Sequence, residues 1–124
     1  MGARAKRTTY EIEAVRKDRN FCFEFVLVTP AEVKKPVPCF ILISNRGISS
    51  SDPARQFLSP FYPIEQILAR GYATAFFLTQ DVAPDYYEGY TSKIHRLFPK
   101  YGEDRPATAY ATIGAWSWAT SRII

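Results

Sequence analysis

Few side chains in this sequence could do covalent chemistry, and their spacing limits what they could do together. The nearest approach to a nucleophilic serine turn is Gly47-Ile48-Ser49. A strained Gly-x-Ser-x-Gly turn needs small residues on both sides of the serine, and Ser51 holds the second glycine position. Gly114 to Ser117 has the wrong spacing for the same turn. A serine also needs a base. The single histidine, His95, lies in Lys93-Ile94-His95-Arg96-Leu97. The flanking cations disfavour its protonation, and no carboxylate neighbour orients it. It reads as an ordinary loop or helix-surface histidine, so no catalytic residue is assigned. Cys22 and Cys39 lack a CxxC spacing and leave no zinc signature. Both sit in apolar strand patterns and are expected to be buried free thiols, with a cross-strand bridge left open. No metal or cofactor is expected.

Two polar clusters follow apolar runs. Asn45, Arg46 and Gly47 come after Cys39–Ile43, and Asp81 and Asp85 come after Tyr72–Leu78. Loops at the carboxyl ends of buried strands are where α/β sheets place their chemistry. The first cluster is either a site loop or a simple turn capped by Asn45. The second is either a general acid–base pair or cation site, or a loop scaffold in which Asp caps backbone amides beside Pro84. Tyr86, Tyr87 and Tyr90 could form a sugar platform or cover a sheet edge.

The elements that must carry these clusters follow from periodicity. Residues 8–15 alternate, with Tyr10, Ile12 and Ala14 on one face. After the polar turn 16–20, residues 21–29 alternate again, with Phe21, Phe23, Phe25 and Leu27 together. The pair reads as an antiparallel hairpin. Cys39–Ile43 shows no alternation and predicts a strand buried on both faces, the central strand of the sheet. Pro63 suits the first position of a helix that buries Ile64, Ile67 and Leu68 and closes at Gly71. Residues 72–78 are a second continuous apolar strand. Strand, helix, strand is a βαβ unit, so the two strands are parallel. Residues 80–106 read as a long loop. Pro106 opens a final helix over 107–124 with Ala109, Ile113, Trp116, Thr120 and Ile123 on one face.

At 124 residues the chain is one domain at most, and 47% apolar content argues against disorder. Sixteen basic against twelve acidic residues give a net charge of +4. Arg4, Lys6 and Arg7 form a basic stretch, residues 1–7, expected to be a flexible tail. The alternative is a small basic module for nucleic acid or a protein partner. It ranks below, because the aromatics follow core periodicity and the cations do not cluster on one face. No apolar run reaches the roughly 20 residues of a spanning helix, so no membrane partner is expected. No signal peptide is visible; the chain as given reads as cytoplasmic, or as secreted or periplasmic if the true start differs.

Three ordered blocks resemble a known family. They are Phe61-Tyr62-Pro63-Ile64-Glu65 with Ile67-Leu68-Ala69-Arg70-Gly71-Tyr72; Asp81-Val82-Ala83-Pro84-Asp85-Tyr86 with Gly89; and Thr112-Ile113-Gly114-Ala115-Trp116-Ser117-Trp118-Ala119 with Ser121-Arg122. They are similar to the glucuronoyl esterase and acetylxylan-esterase-like branch of carbohydrate esterases. Tyr110-Ala111 and Thr120 depart from that family's usual helix pattern. The resemblance implies an incomplete α/β-hydrolase sheet: an antiparallel hairpin, a βαβ unit and a final helix. It implies a serine esterase acting on an ester-bearing plant cell-wall carbohydrate, with Asn45, Arg46 and Gly47 on the oxyanion side and Asp81 and Asp85 on the active-site face. The family's nucleophile, acid and histidine match nothing in this sequence. The chain is therefore expected to be an amino-terminal part, inactive alone. Its open sheet edge is expected to pair with the missing half or with another copy.

Overall fold

Two twelve-residue strands open the fold, β1 (Ala5–Arg16) and β2 (Arg19–Pro30). The computed structural model describes residues 5–47, 51–52, 54–86, 89, 91–98 and 111–124. Lys17 and Asp18 join the strands, and Lys17 has φ +55°, a sign suited to two-residue hairpin turns. Both strands are longer than their alternating cores. Lys6 and Arg7 thus belong to β1, where they are exposed.

The sheet continues with β3 (Cys39–Ser44) and β4 (Ala73–Leu78) in the order β1-β2-β4-β3. β4 runs antiparallel to β2, with Val26 opposite Phe76, and parallel to β3, from Cys39 opposite Ala73 to Ser44 opposite Leu78. The predicted hairpin and parallel pair are both present. The strand expected to be central in a finished sheet, β3, is here the strand with the unpaired side, as an incomplete sheet requires, and β4 is the one flanked twice. β4, flanked on both sides, is buried from Ala73 to Phe77. β3 has one neighbour among the described residues, and Phe40 is 56% exposed. The sheet is open on that side.

The described residues group into two compact units, divided near Tyr10, Glu24 and Leu78. In the first, α1 (Ile64–Ala69) lies on β4. Pro63 precedes it, and Gly71 at φ +80° ends it, its amide donating to Leu68 O and that of Tyr72 to Ile67 O. Ile64, Leu68 and Tyr62 bury Val26, Val28 and Phe76. This explains a change of face within β2. Phe21 and Phe23 are buried, but further along the buried positions are Val26 and Val28, with Phe25 and Leu27 half-buried, because the face that α1 covers carries the even numbers.

One polar side chain sits inside this core. Thr74 is fully buried in β4, and its hydroxyl donates to Phe40 O at 3.1 Å. Its only proton is thereby committed, so the 2.8 Å contact to Tyr62 has Tyr62 donating to Thr74 Oγ1. Burial pushes the Tyr62 phenol up to about 12.

The second unit contains Glu11–Glu24 and the chain from Thr79. Its helices are α2 (Thr79–Val82), a 3-10 turn at Lys93–Leu97 and α3 (Thr112–Ile123). The predicted long loop is thus partly helical. Ala115 and Ala119 face inward, where their small side chains let α3 approach α2 closely. Trp116 donates from Nε1 to Ala83 O at 2.9 Å, and Trp118 packs on Phe23 at 6.2 Å. The predicted stripe is displaced: Ile113 is 71% exposed. Pro106 and residues 107–110, Ala109 among them, lie outside the described residues. Cys22 and Cys39 are unbridged, as expected, but exposed rather than buried. Cys22 alternates with the buried Phe21 and Phe23, and Cys39 opens the edge strand.

Thr74→Val keeps the shape but leaves the buried Tyr62 hydroxyl without its acceptor, at a cost of about 1–3 kcal/mol. Tyr62→Phe leaves the Thr74–Phe40 bond intact and is expected to cost less. Urea unfolding of the two variants checks the order. The sign of the pH effect follows from the raised folded value. Neutral Tyr62 contributes stability that is full below the ordinary phenol range, near pH 10, and is lost as pH rises toward about 12. Tyr62→Phe removes that alkaline loss in a pH series. In the second unit, a Cβ on Gly89 would stand 2.3 Å from Pro84 O. Gly89→Ala is therefore expected to destabilise by about 1–3 kcal/mol, read as a lower thermal midpoint.

Candidate functional site

Ser44 ends β3 almost fully buried, and its hydroxyl donates to Arg46 O at 2.9 Å. This bond turns the chain outward, leaving Asn45, Arg46 and Gly47 exposed. Gly47 does not have a left-handed φ, and a Cβ there would meet nothing within 4 Å. The serine hydroxyl, rather than glycine's freedom, therefore shapes this bend. The Arg46 guanidinium lies over the Phe61 ring at 4.3 Å, just before α1. Ile48 and Ser49, the half-match to a nucleophile turn, lie outside the described residues.

Further along the same loop, Asp52 gathers three backbone amides. Oδ1 accepts from Ala54 at 3.0 Å, and Oδ2 from Gln56 at 2.8 Å and Phe57 at 3.1 Å. The Phe57 amide and its neighbours hold this carboxyl below its ordinary range. Within that turn Arg55 has φ +53° and reaches Glu65 in the first turn of α1. The pair is bidentate: Nε to Oε1 at 2.6 Å and Nη2 to Oε2 at 2.7 Å. The guanidinium hydrogen bonds hold the Glu65 carboxyl low. The sequence alone singles out Glu65 only within a resembling block and does not single out Arg55. The ten-residue separation belongs to no local period; the only hint was an Asp-Pro start to the loop.

Beside this loop an apolar groove of about 330 Å³ runs between β3 and α1. Phe40, Leu42, Phe61, Tyr62, Ile67 and Thr74 line it.

Asp81 and Asp85 belong to the second unit, and Asn45–Gly47 to the first. Asp81 lies in α2 and lines a cleft of about 230 Å³ with Glu11, Cys22, Phe23, Glu24 and Lys93. Asp85 is exposed beyond the buried Pro84. The chain then turns through Tyr86, whose carbonyl accepts from the Gly89 amide at 2.9 Å. Tyr86 is 61% exposed; Tyr87 and Tyr90 lie outside the described residues. Among the described residues, no three His, Cys, Asp or Glu side chains stand close enough to hold a metal ion. No described helix is long and apolar enough to cross a membrane.

His95 differs from its reading as a surface residue. It is 4% exposed, inside the 3-10 turn with Ile94 and Leu97. The hairpin turn holds this segment in place. Arg16 donates to Leu97 O at 3.0 Å and lies over Phe98 at 4.7 Å, and Arg19 donates to Arg96 O at 2.8 Å. Such clamping buries the histidine despite its cationic neighbours in sequence.

No family model matches the sequence, and no curated protein matches it. Solved structures do. A glucuronoyl esterase from Solibacter usitatus superposes with a TM-score of 0.78 at 25% identity, over 96% of this chain and 36% of its own. A CE15 glucuronoyl esterase from Teredinibacter turnerae T7901 gives 0.74 at 22% identity, over 99% of this chain and 32% of its own. A promiscuous CE15 esterase from a marine bacterial metagenome gives 0.67 at 18% identity, over 94% and 36%. The chain therefore has the α/β fold of the CE15 glucuronoyl esterases, which it resembles from end to end while spanning about a third of their length.

Proposed function

We propose that these 124 residues are the amino-terminal scaffold of a serine esterase that cleaves carboxylic esters on carbohydrate. The observation that carries the reading is the match to a glucuronoyl esterase over 96% of the chain, with a TM-score of 0.78. In this reading the loop Asn45–Gly47 lines the oxyanion side of the site, since it leaves the carboxyl end of a parallel strand. The nucleophile, its acid and its histidine come from sequence outside these residues, because no Gly-x-Ser-x-Gly turn is present and His95 is buried. The open side of β3, with Phe40 and Ile43 exposed, is the edge on which further strands would add.

Two measurements test this. The chain incubated with a chromogenic acyl ester and with a methyl glucuronate ester is expected to give no turnover above a boiled control. Turnover by the chain itself would overturn the assignment of the nucleophile to other sequence. Reading the gene on the 3′ side of the Ile124 codon is expected to show an in-frame strand followed by a Gly-x-Ser-x-Gly-type turn. A downstream frame coding for an unrelated domain would count against the esterase reading.

A further inference from the structure

We propose that the turn end of the β1–β2 hairpin is a carboxylate-binding patch for an acidic polysaccharide. Arg16 and Arg19 form its centre, with Lys17 and Arg96 beside them. The inference rests on the reading of the chain as part of a carbohydrate esterase, and adds that the carbohydrate carries free carboxylates. The sequence separates these cations and the fold gathers them. Arg16 and Arg19 flank the two-residue turn Lys17-Asp18, so they stand opposite each other across the hairpin. Arg16 donates from Nη1 to Leu97 O and Arg19 from Nη1 to Arg96 O, two consecutive carbonyls of the 3-10 turn. Those bonds bring in Arg96, whose side chain is exposed. All four cations belong to the second unit, and the turn itself holds one acid, Asp18.

Like charges opposite each other across a hairpin are destabilising, and an anion held between them reverses the sign. Each guanidinium has five N–H donors and spends one on a carbonyl. Among the described residues neither has a carboxylate within ion-pair distance; the pair at Arg55 and Glu65 belongs to the first unit. Phe98 covers one face of the Arg16 guanidinium at 4.7 Å. The carbonyls and the ring thus pre-orient the two forks, and the N–H groups left over match the paired oxygens of a carboxylate. The surroundings decide which polyanion fits. Further along the same strands Glu11, Glu13 and Glu24 are exposed, and Asp81 shares a cleft with Glu11 and Glu24. A nucleic acid carries a phosphate at every residue, and its backbone would meet these acids beyond the patch. A polysaccharide carries its carboxylates singly on sugar rings, and a short patch bounded by acids takes one or two of them.

Titration of the 124-residue chain with a short galacturonate oligomer, followed by backbone amide shifts in NMR spectra, tests this. The shifts are expected at 16–19 and 96–98, and the affinity is expected to fall as salt rises to about 0.15 M and screens the charges. A neutral xylose oligomer of the same length is expected to move none of these amides. Lys17→Gln and Arg96→Gln leave both carbonyl bonds in place, and each is expected to weaken binding about threefold. Arg19→Lys keeps the charge but loses the fork, and is expected to weaken binding about tenfold. The proposal is overturned if the galacturonate oligomer moves no amide at 16–19, if the neutral oligomer binds equally well, or if all three variants bind like the parent. Tighter binding of a thymidine oligonucleotide of the same charge would also overturn it, assigning the patch to nucleic acid. These oligomers carry no ester, so the patch can fail while the esterase reading stands; the turnover and gene-sequence tests above judge that reading.

Discussion

Thr74 has one hydroxyl proton, and its destination organises the first unit. A threonine at a fully buried strand position must satisfy its oxygen or forfeit about 1–3 kcal/mol. It gives the proton to Phe40 O on the neighbouring strand, which leaves its lone pairs for Tyr62. Tyr62 is thereby fixed one residue before Pro63 and against Phe76, ring to ring at 5.5 Å. Its placement determines where α1 begins, and α1 in turn carries Phe61 and Glu65 at its entry. The two arginine contacts of the β3 loop are made to those residues. One buried hydroxyl therefore links β3, β4, the start of α1 and the candidate site loop.

The relative size of these effects shows what holds the loop. A partly exposed ion pair such as Arg55–Glu65 contributes about 0–1 kcal/mol, no more than the left-handed backbone at Arg55 costs. The ion pair alone would not hold the turn closed. Asp52, by collecting three amides, makes the turn; Arg55 joins that turn to Glu65 in the first turn of α1. This division of labour separates shape from attachment. It also explains why both carboxylates are held low: each is ionised in the arrangement that uses it.

The elements with a strong local period were legible in the sequence. The hairpin, α1 between Pro63 and Gly71, and the parallel pair all follow from alternation, end signals and apolar runs. What was not legible depended on neighbours. Cys39–Ile43 and Tyr72–Leu78 are equally apolar, so composition could not say which is flanked twice; only strand order decides it, in favour of β4. The buried face of α3 is not marked by its largest side chains: Ala115 and Ala119 face inward, where small residues let α3 come close to α2. The burial of His95 is not visible from its cationic sequence neighbours, because the groups that enclose its turn, Arg16 and Arg19, lie more than seventy residues away. The loop candidates Asn45, Arg46 and Gly47 were found from their position after a strand. Asp52 and Arg55, which shape that loop, bond outside any periodic pattern.

β3 shows the same limit from the opposite direction. Its composition is that of a strand with two covered faces, yet Phe40 and Ile43 remain 56% and 38% exposed. Phe40 recovers part of its contact edge-on to Tyr72 at 5.5 Å. Together the two side chains leave on the order of 2 kcal/mol of apolar burial unrealised. Edge strands in stable sheets ordinarily carry charges, bulges or prolines on such positions, and Cys39–Ser44 has none. The side chains thus match a strand with neighbours on both sides, whereas the described sheet supplies one. The loop that leaves this strand at Ser44 is also the one whose two arginines contact Phe61, just before α1, and Glu65, in its first turn. A neighbouring strand arriving at the open side would reach that loop without displacing any described strand.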